Sequence, residues 1–496
     1  MRGYDYLHKI RQISGSFFMN GVIDNNYKRL FGFVLVVAVL LRFGFLPLRA
    51  LDMDEAISYY GSKLPWNQLI ECIESTGDAP LNYILHRYIA IFPNIYAIRM
   101  IHVTFGIMTV FFIMRISSTI FAEREAVLYS GMIAATSSIF LSYSMNSRMY
   151  ALFSMSTAGM IYFLLRLYLE NRWRDHIIYG IMALCLLYNH YMGMFVFISG
   201  IISVLFLWKK LSNSFKIRFF IVSVATGLLF CLWLPFLFSQ VSGRGEVSNK
   251  LFISSGLIFP YTFYTFTLGK NLLNFVHKSD LLIFHNTIPA LLIFSIFVGL
   301  TIYGMYKMRE KRNMLIVLIT FMILPLIFSY IVSIKIPRIL FETRYLISCA
   351  VPYYIFMGYG ISKVNKKSIR IMILVLFMTI NSLAFYKYLV TSENWKKIAD
   401  FIEVNASKTD VLAFDARYMI KPFQFYYRGG ATMVGLPPHG DKDYLMNILN
   451  ESNKRVWLIV SHNYRSHGIY IETMDKTRNL KKTYDFVFAK IYLYDF

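Results

Sequence analysis

At 496 residues the chain has the length of two or three soluble domains, but its composition excludes that reading for most of it: 56% hydrophobic and 17% aromatic residues stand against 16% charged, where soluble domains carry roughly 25%. A chain of this kind is an integral membrane protein. Its formal net charge of +23 does not imply a nucleic acid partner, because the basic excess of a membrane chain gathers in cytoplasmic loops and sets orientation.

In chain order, residues 1–28 form a basic cytoplasmic tail with Arg2, Lys9, Arg11 and Lys28, and no cleavable signal pattern follows it. A crossing needs about 20 mostly apolar residues. Segments 29–48, 97–121, 126–145, 149–168, 218–238, 286–306, 313–333, 345–361 and 371–390 meet that requirement. The run 177–208, broken at Tyr188-Asn189-His190-Tyr191, reads as a hairpin of two short helices, which brings the total to about eleven. Basic loops at Lys209 to Arg218, Lys307 to Arg312 and Lys363 to Arg370 fall in the cytoplasm. Loops 49–96, 146–148, 189–191, 239–285 and 334–344, and everything after 390, then lie outside. Residues 79–92 are short and polar for a span, and counting them as a twelfth crossing would put the N- and C-terminal tails on one side or upset the basic-loop assignments. They read as an interfacial helix with Leu81, Ile84, Leu85, Tyr88 and Phe92 on one face and Asn82 and His86 opposite.

The expected architecture is therefore an all-α polytopic membrane domain over 29–390, with its first external loop at 49–96. A small extracytoplasmic α/β domain over 391–496 follows. In that tail, apolar segments 410–414, 431–436, 455–460 and 486–494 alternate with helical stretches 393–405 and 442–454. The aromatic stretch 259–271 lies in an expected external loop, where it covers a cavity, stacks on sugar faces or anchors at the interface.

The chemistry points to the first external loop. It carries Asp52, Asp54, Glu55, Glu71, Glu74 and Asp78 against Arg49 and Lys63. Acids that close to hydrocarbon are expected to have a task. Partial desolvation and a neighbouring carboxylate favour a general base, and Asp54 and Glu55 fit that role best. Glu71 and Glu74 fit better as simple markers of the external side. Cations share that face. Arg99 begins the second span, Arg148 sits in a very tight turn, and Lys335, Arg338 and Arg344 precede the tenth span. Lys335 reads as an ordinary snorkelling anchor. A base with arginines near a membrane-facing pocket suits proton removal from an acceptor while an anionic phosphate leaves, because the planar guanidinium binds two oxygens at once. Cys72, Cys185, Cys231 and Cys349 have no metal-type spacing, His86, His102 and His190 have no close ligand pair, and no glycine-rich nucleotide loop is present. No cofactor is required by any motif, and a divalent metal is left open without being indicated.

Several stretches resemble a family when taken in order: LDMDEAISYY after the first span, GDAPLNYILH leading a helix, Arg99, SRMYAL opening a span, RYLISCAVPYYIFMGYGI near the end and ENWKKIADFI opening the tail. The chain resembles polytopic glycosyltransferases of the GT-C type over nearly its whole length. The similarity is to the bacterial dolichyl-phosphate-mannose-protein mannosyltransferase-like group, related to protein O-mannosyltransferases and lipid A aminoarabinose transferases. The resemblance implies an inverting sugar transfer from a polyprenyl-phosphate donor to an acceptor hydroxyl on a protein, lipid or glycan, outside the plasma (inner) membrane. It implies Asp54 as base and Glu55 as its positioning neighbour. Arg99 and Arg148 would meet the donor phosphate, Arg344 and Tyr345 would line the donor cavity, and Asp52, Asp78 and Tyr150 complete the expected substrate contacts. Relatives often have His-Pro-Pro-Leu where this chain has Asp78-Ala79-Pro80-Leu81, so Asp78 replaces the histidine or adds an acidic contact.

Three other classes compete. A transporter or flippase predicts an internal repeat and broken helices around a midplane site, and no repeat is evident. A lipid-linked glycan polymerase or ligase would place its key residues in later loops, and a scaffold would leave the acids idle.

Overall fold

The computed structural model describes residues 25–89, 94–242, 258–270, 284–333, 343–415, 417–437, 440–450, 454–461 and 466–495. Residues 1–24, Lys335, Arg338 and parts of loop 239–285 lie outside them. The chain divides into two compact units.

The first unit comprises Met1–Leu46, Trp66–Leu85 and Tyr96–Lys387. Among its described residues, eight helices are long and apolar enough to cross a membrane, and a bent pair makes up to nine. The remaining two of the about eleven expected spans are shorter: Trp173–Asn189 has 17 residues and Ala350–Ser362 has 13. Every residue of Ala350–Ser362 is buried, which explains why it reads as a span: a helix apolar all round signals burial in a core as readily as in lipid. The hairpin expected in 177–208 is present as Trp173–Asn189 and Gly193–Leu207, turning at His190 to Met192.

Peripheral helices show the opposite pattern. Phe33, Leu40, Phe220, Leu228, Leu292 and Met372 are all exposed, as lipid-facing positions should be. The centre is held by close backbone approach. A Cβ on Gly360 would come 1.9 Å from the carbonyl oxygen of Leu300, and one on Gly304 would come 2.1 Å from that of Phe356. Small residues are needed there for Phe284–Lys307 to pack on Ala350–Ser362.

The bent pair is Arg124–Thr136 and Ser138–Ser144, which meet at 55°. The break frees backbone groups that lipid cannot satisfy, and buried polar side chains take them up. Arg42 Nη1 donates to the carbonyl of Ala135 at 3.2 Å and Arg42 Nε to Ser144 Oγ at 3.1 Å. The amide of Ser138 donates to Asn381 Oδ1 at 2.9 Å.

The loops sort by charge. Lys311 Nζ donates to the carbonyl of Ile120, Lys363 pairs with Glu123, and Arg370 pairs with Glu125. Arg218 donates to the carbonyl of Asn171, and Lys210 to Asn313. All the basic loops therefore share one end of the unit, as their charge predicts. The turns at Arg148 and His190 lie at the other end.

One expectation changes. The aromatic stretch expected as loop is the helix Ile258–Leu268, and its Thr267 hydroxyl and Phe266 carbonyl bond the hydroxyls of Tyr353 and Tyr354. Its aromatic residues are packing elements of the helical core. The helix expected at 79–92 is Pro80–Ile89, too short to cross a membrane. Its polar Asn82 and His86 are buried, whereas Tyr88 is 68% exposed.

The second unit comprises Pro47–Pro65, His86–Ile95 and Tyr388–Phe496. Its sheet has strands β1 (Val411–Asp415), β2 (Thr432–Gly435), β3 (Val456–Ser461), β4 (Asn479–Asp485) and β5 (Ala489–Asp495) in the order β2-β1-β3-β5-β4. β1 pairs parallel with β2 and β3, while β5 pairs antiparallel with β3 and β4. Four strands coincide with the apolar segments of the sequence. β4, with the sequence NLKKTYD, carries no such signal because it is a mostly exposed edge strand. Helix Trp395–Asn405 covers one face through Trp395, Ile398 and Ile402, all fully buried.

Candidate active site

The acidic stretch of the first loop folds as the helix Met53–Ser62 within the second unit. Its start is a complete capping box. The Asp52 side chain accepts from the amide of Glu55 at 2.8 Å, and the Glu55 carboxylate accepts from the amide of Asp52 at 3.2 Å. This reciprocal pairing satisfies two amides that a helix start otherwise leaves open. Arg49 binds both acids, pairing with Asp52 and placing Nη1 3.0 Å from Glu55 Oε2. Glu55 is completely buried, whereas Asp54, in the first helical turn, is partly exposed.

The acids therefore divide their tasks. Asp52 and Glu55 hold the helix start, and Asp54 lies between them in the first helical turn. Burial pushes the Asp52 carboxyl up to about 7; Arg49 pulls it down, while Glu55, Asp54 and Glu393 add to the rise.

Residues distant in sequence complete this frame. Glu393 Oε2 accepts from the amide of Met53 at 3.2 Å and from Trp395 Nε1 at 2.8 Å. The Tyr426 hydroxyl oxygen accepts from the amide of Leu51 at 2.7 Å. The Arg49 guanidinium lies 5.5 Å from the ring centre of Tyr388. Sequence reasoning missed Arg49, Tyr388, Glu393 and Tyr426 as site residues. Only Glu393 carried a signal, as the acid directly after the last span in the ENW stretch.

The remaining expected residues lie in the first unit. Gly77, at a φ of +67°, ends the helix Trp66–Thr76 in the left-handed region that glycine adopts without strain. Asp78 lies in the short link from that helix to Pro80–Ile89. Arg148 binds Asp78 with both terminal nitrogens, Nη1 to Oδ2 and Nη2 to Oδ1, each at 3.0 Å. Tyr83 donates to Asp78 Oδ2 at 3.0 Å, and Tyr191 donates to the Asp78 carbonyl at 2.9 Å. Gln240 Nε2 donates to the same carbonyl at 3.2 Å. Asp78 thus joins four separate segments of the unit.

A second cationic centre forms around Arg344. Its guanidinium lies 5.6 Å from the ring centre of Tyr150 and 5.5 Å from that of Tyr345. Both rings also meet His190, at 5.9 and 5.2 Å. Arg344, Tyr345 and Tyr150 thus lie together, with His190 beside them. Arg99 is fully buried near the start of helix Ile95–Ile120; nearby in chain, His102 Nε2 lies 3.1 Å from Asn82 Oδ1. Among the described residues, no group of three or more His, Cys, Asp or Glu side chains is placed to hold a metal ion.

Comparison with known proteins supplies the context. Residues 81–237 match the family model described as dolichyl-phosphate-mannose-protein mannosyltransferase. None of the curated proteins matches the chain. Among solved structures, ArnT from Cupriavidus metallidurans bound to undecaprenyl phosphate is 11% identical, with a TM-score of 0.56 over 93% of this chain and 97% of that one. The archaeal oligosaccharyltransferase AglB from Archaeoglobus fulgidus, in complex with an inhibitory peptide and a dolichol-phosphate, is also 11% identical. It aligns with a TM-score of 0.51 over 88% of this chain and 69% of that one. The chain accordingly has the GT-C type fold of these polytopic proteins, and over residues 81–237 it is similar in sequence to the dolichyl-phosphate-mannose-protein mannosyltransferases.

Proposed function

We propose that the protein is a membrane glycosyltransferase that moves a sugar from a polyprenyl-phosphate donor to an acceptor hydroxyl outside the cytoplasm, with inversion at the anomeric carbon. The observation that carries this reading is the division of labour at the helix Met53–Ser62. Asp52 and Glu55 are committed to the cap and to Arg49, and Asp54 stands partly exposed in the first turn. Asp54 takes the proton of the acceptor hydroxyl as its oxygen attacks the anomeric carbon. The bond from that carbon to the phosphate oxygen breaks, and polyprenyl phosphate leaves with the electron pair. Glu55 positions Asp54 through the helix start.

Arg344 meets the donor phosphate, in company with Tyr150 and Tyr345. Arg148 adds positive charge and, with Asp78, positions the start of helix Tyr150–Glu170. Arg99 and Asp52 complete the substrate contacts. The undecaprenyl phosphate in ArnT and the dolichol-phosphate in AglB support a donor of this class, and the acceptor is a protein, lipid or glycan hydroxyl. The basic loops gathered at one end support a cytoplasmic N-terminus and an extracytoplasmic tail domain in a plasma (inner) membrane protein.

The test is transfer of labelled sugar from defined polyprenyl-phosphate donors by the purified protein in liposomes, with the anomeric configuration of the product read by NMR. Release of polyprenyl phosphate with an inverted product is expected. Retention of configuration, or no turnover with any such donor beside an active control enzyme, would remove the proposal.

A further inference from the structure

His190 has so far been only a neighbour of Arg344, but its surroundings define its chemistry. It sits in the turn between Trp173–Asn189 and Gly193–Leu207 and is 7% exposed. The turn is fixed to the start of the next helix in space, because Asn189 Nδ2 donates to the carbonyl of Met149 at 2.7 Å. The imidazole is fixed as well. It stacks on Phe153 with ring centres 4.9 Å apart and 26° between planes.

Its Nδ1 accepts from the amide of Met192 at 3.1 Å. A ring nitrogen that accepts carries no hydrogen, so the neutral ring has its proton on Nε2. No described residue accepts from Nε2. Burial, and then the positive charges of Arg148 and Arg344, hold the imidazole far below its usual range, at about 3. The ring therefore stays neutral at working pH, and its one N–H is a fixed donor in a positively charged, aromatic-walled corner.

We infer that His190 is a phosphate contact, donating Nε2–H to an oxygen of the polyprenyl phosphate that Arg344 binds. A rigid neutral donor beside a guanidinium suits a leaving group on which charge grows, since it needs no reorganisation as the bond breaks. This inference rests on reading the Arg344 corner as the donor phosphate site.

The experiment measures undecaprenyl phosphate binding by the full-length protein in detergent, as Kd and as the ligand-induced rise in Tm. Wild type is compared with His190→Phe, His190→Gln and Arg344→Gln. His190→Phe keeps a ring against Phe153 and removes the donor. It should weaken binding by about 10- to 100-fold, the range for a hydrogen bond to a charged group, with the ligand-free Tm close to wild type. His190→Gln restores an N–H donor and should recover most of the affinity. Inorganic phosphate at equal concentration, lacking the lipid chain, should leave Tm unchanged.

A second measurement needs no variant to fold. In wild-type protein with 15N-labelled histidine, the resonance of the Nε2-protonated His190 should shift when undecaprenyl phosphate is added. Wild-type affinity in His190→Phe, or an unmoved resonance under saturating lipid, would overturn the inference. Loss of binding in Arg344→Gln alongside either of those results would leave the phosphate site standing without His190, whereas wild-type affinity in Arg344→Gln would remove the site itself.

Discussion

The pair of Asp78 and Arg148 allows a quantitative test of how this end of the helical unit is held. Their side chains are 11% and 9% exposed, and two parallel bonds of 3.0 Å join them. Removing one partner of such a buried pair leaves the other charge uncompensated and typically costs about 3–5 kcal/mol. Arg148→Met should fall in that range. Asp78→Asn should cost less, because its amide oxygen still accepts from Tyr83 and its backbone carbonyl still accepts from Tyr191 and Gln240. The double variant leaves no unpaired charge, so its cost should lie at least about 1.5 kcal/mol below the sum of the single costs, within the range found for residues sharing one network. The assay is equilibrium unfolding of the purified protein in mixed detergent. Costs that add to within about 0.5 kcal/mol would mean that the two side chains do not act on each other. The reasoning about the clamp would then be refuted.

Three further outcomes follow from the geometry. The raised Asp52 carboxyl, at about 7 in the folded chain against about 4 in an unfolded one, binds a proton more tightly when folded. Its contribution to stability is therefore complete below about pH 4 and lost as pH rises through about 7. Asp52→Asn keeps an equally good cap and cannot titrate, so the Tm difference between wild type and Asp52→Asn should change across that window; a constant difference would contradict the shift. Gly360→Ala forces a Cβ to within 1.9 Å of the Leu300 carbonyl oxygen and should destabilise the helical unit by about 3 kcal/mol, the upper end for overpacking; unfolding that leaves the variant within about 0.5 kcal/mol of wild type would show that the helices separate easily. In a background lacking Cys72, Cys185, Cys231 and Cys349, impermeant thiol reagents should label Glu71→Cys from outside intact cells and Lys366→Cys only after lysis; both residues are exposed, and labelling of both from one side would overturn the proposed topology.

Much of this organisation was legible in the sequence because membranes impose simple rules. Apolar length revealed the long helices, charge sorted the loops into ends, and alternating apolar segments located four of the five strands. Ala350–Ser362 reads as a span because it is apolar all round, and it is buried among protein helices. One error has a physical cause. The aromatic helix Ile258–Leu268 has only 11 residues, too few to read as a span, so it fell within an expected loop; its threonines bond their own helix backbone, Thr265 to the carbonyl of Tyr261 and Thr267 to that of Phe263.

At the candidate site, the sequence marked the acids but not their division. The capping box was written in Asp52 and Glu55 three residues apart, a helix-start signature, and it identifies which acids are structural. Glu393 and Tyr426 were beyond reach, because they meet the first loop only through long-range folding. Asp78 and Arg148, 70 residues apart, likewise gave no sign of their pairing.

The most direct test of the proposed chemistry is the transfer rate of Asp54→Asn in liposomes with the polyprenyl-phosphate donor that wild type uses. Asparagine keeps the size and the helix position but is a very poor proton acceptor, so transfer should fall by about 100- to 10,000-fold, the range for loss of a general base, while undecaprenyl phosphate affinity stays near wild type. Transfer by Asp54→Asn at the wild-type rate would show that Asp54 is not the base.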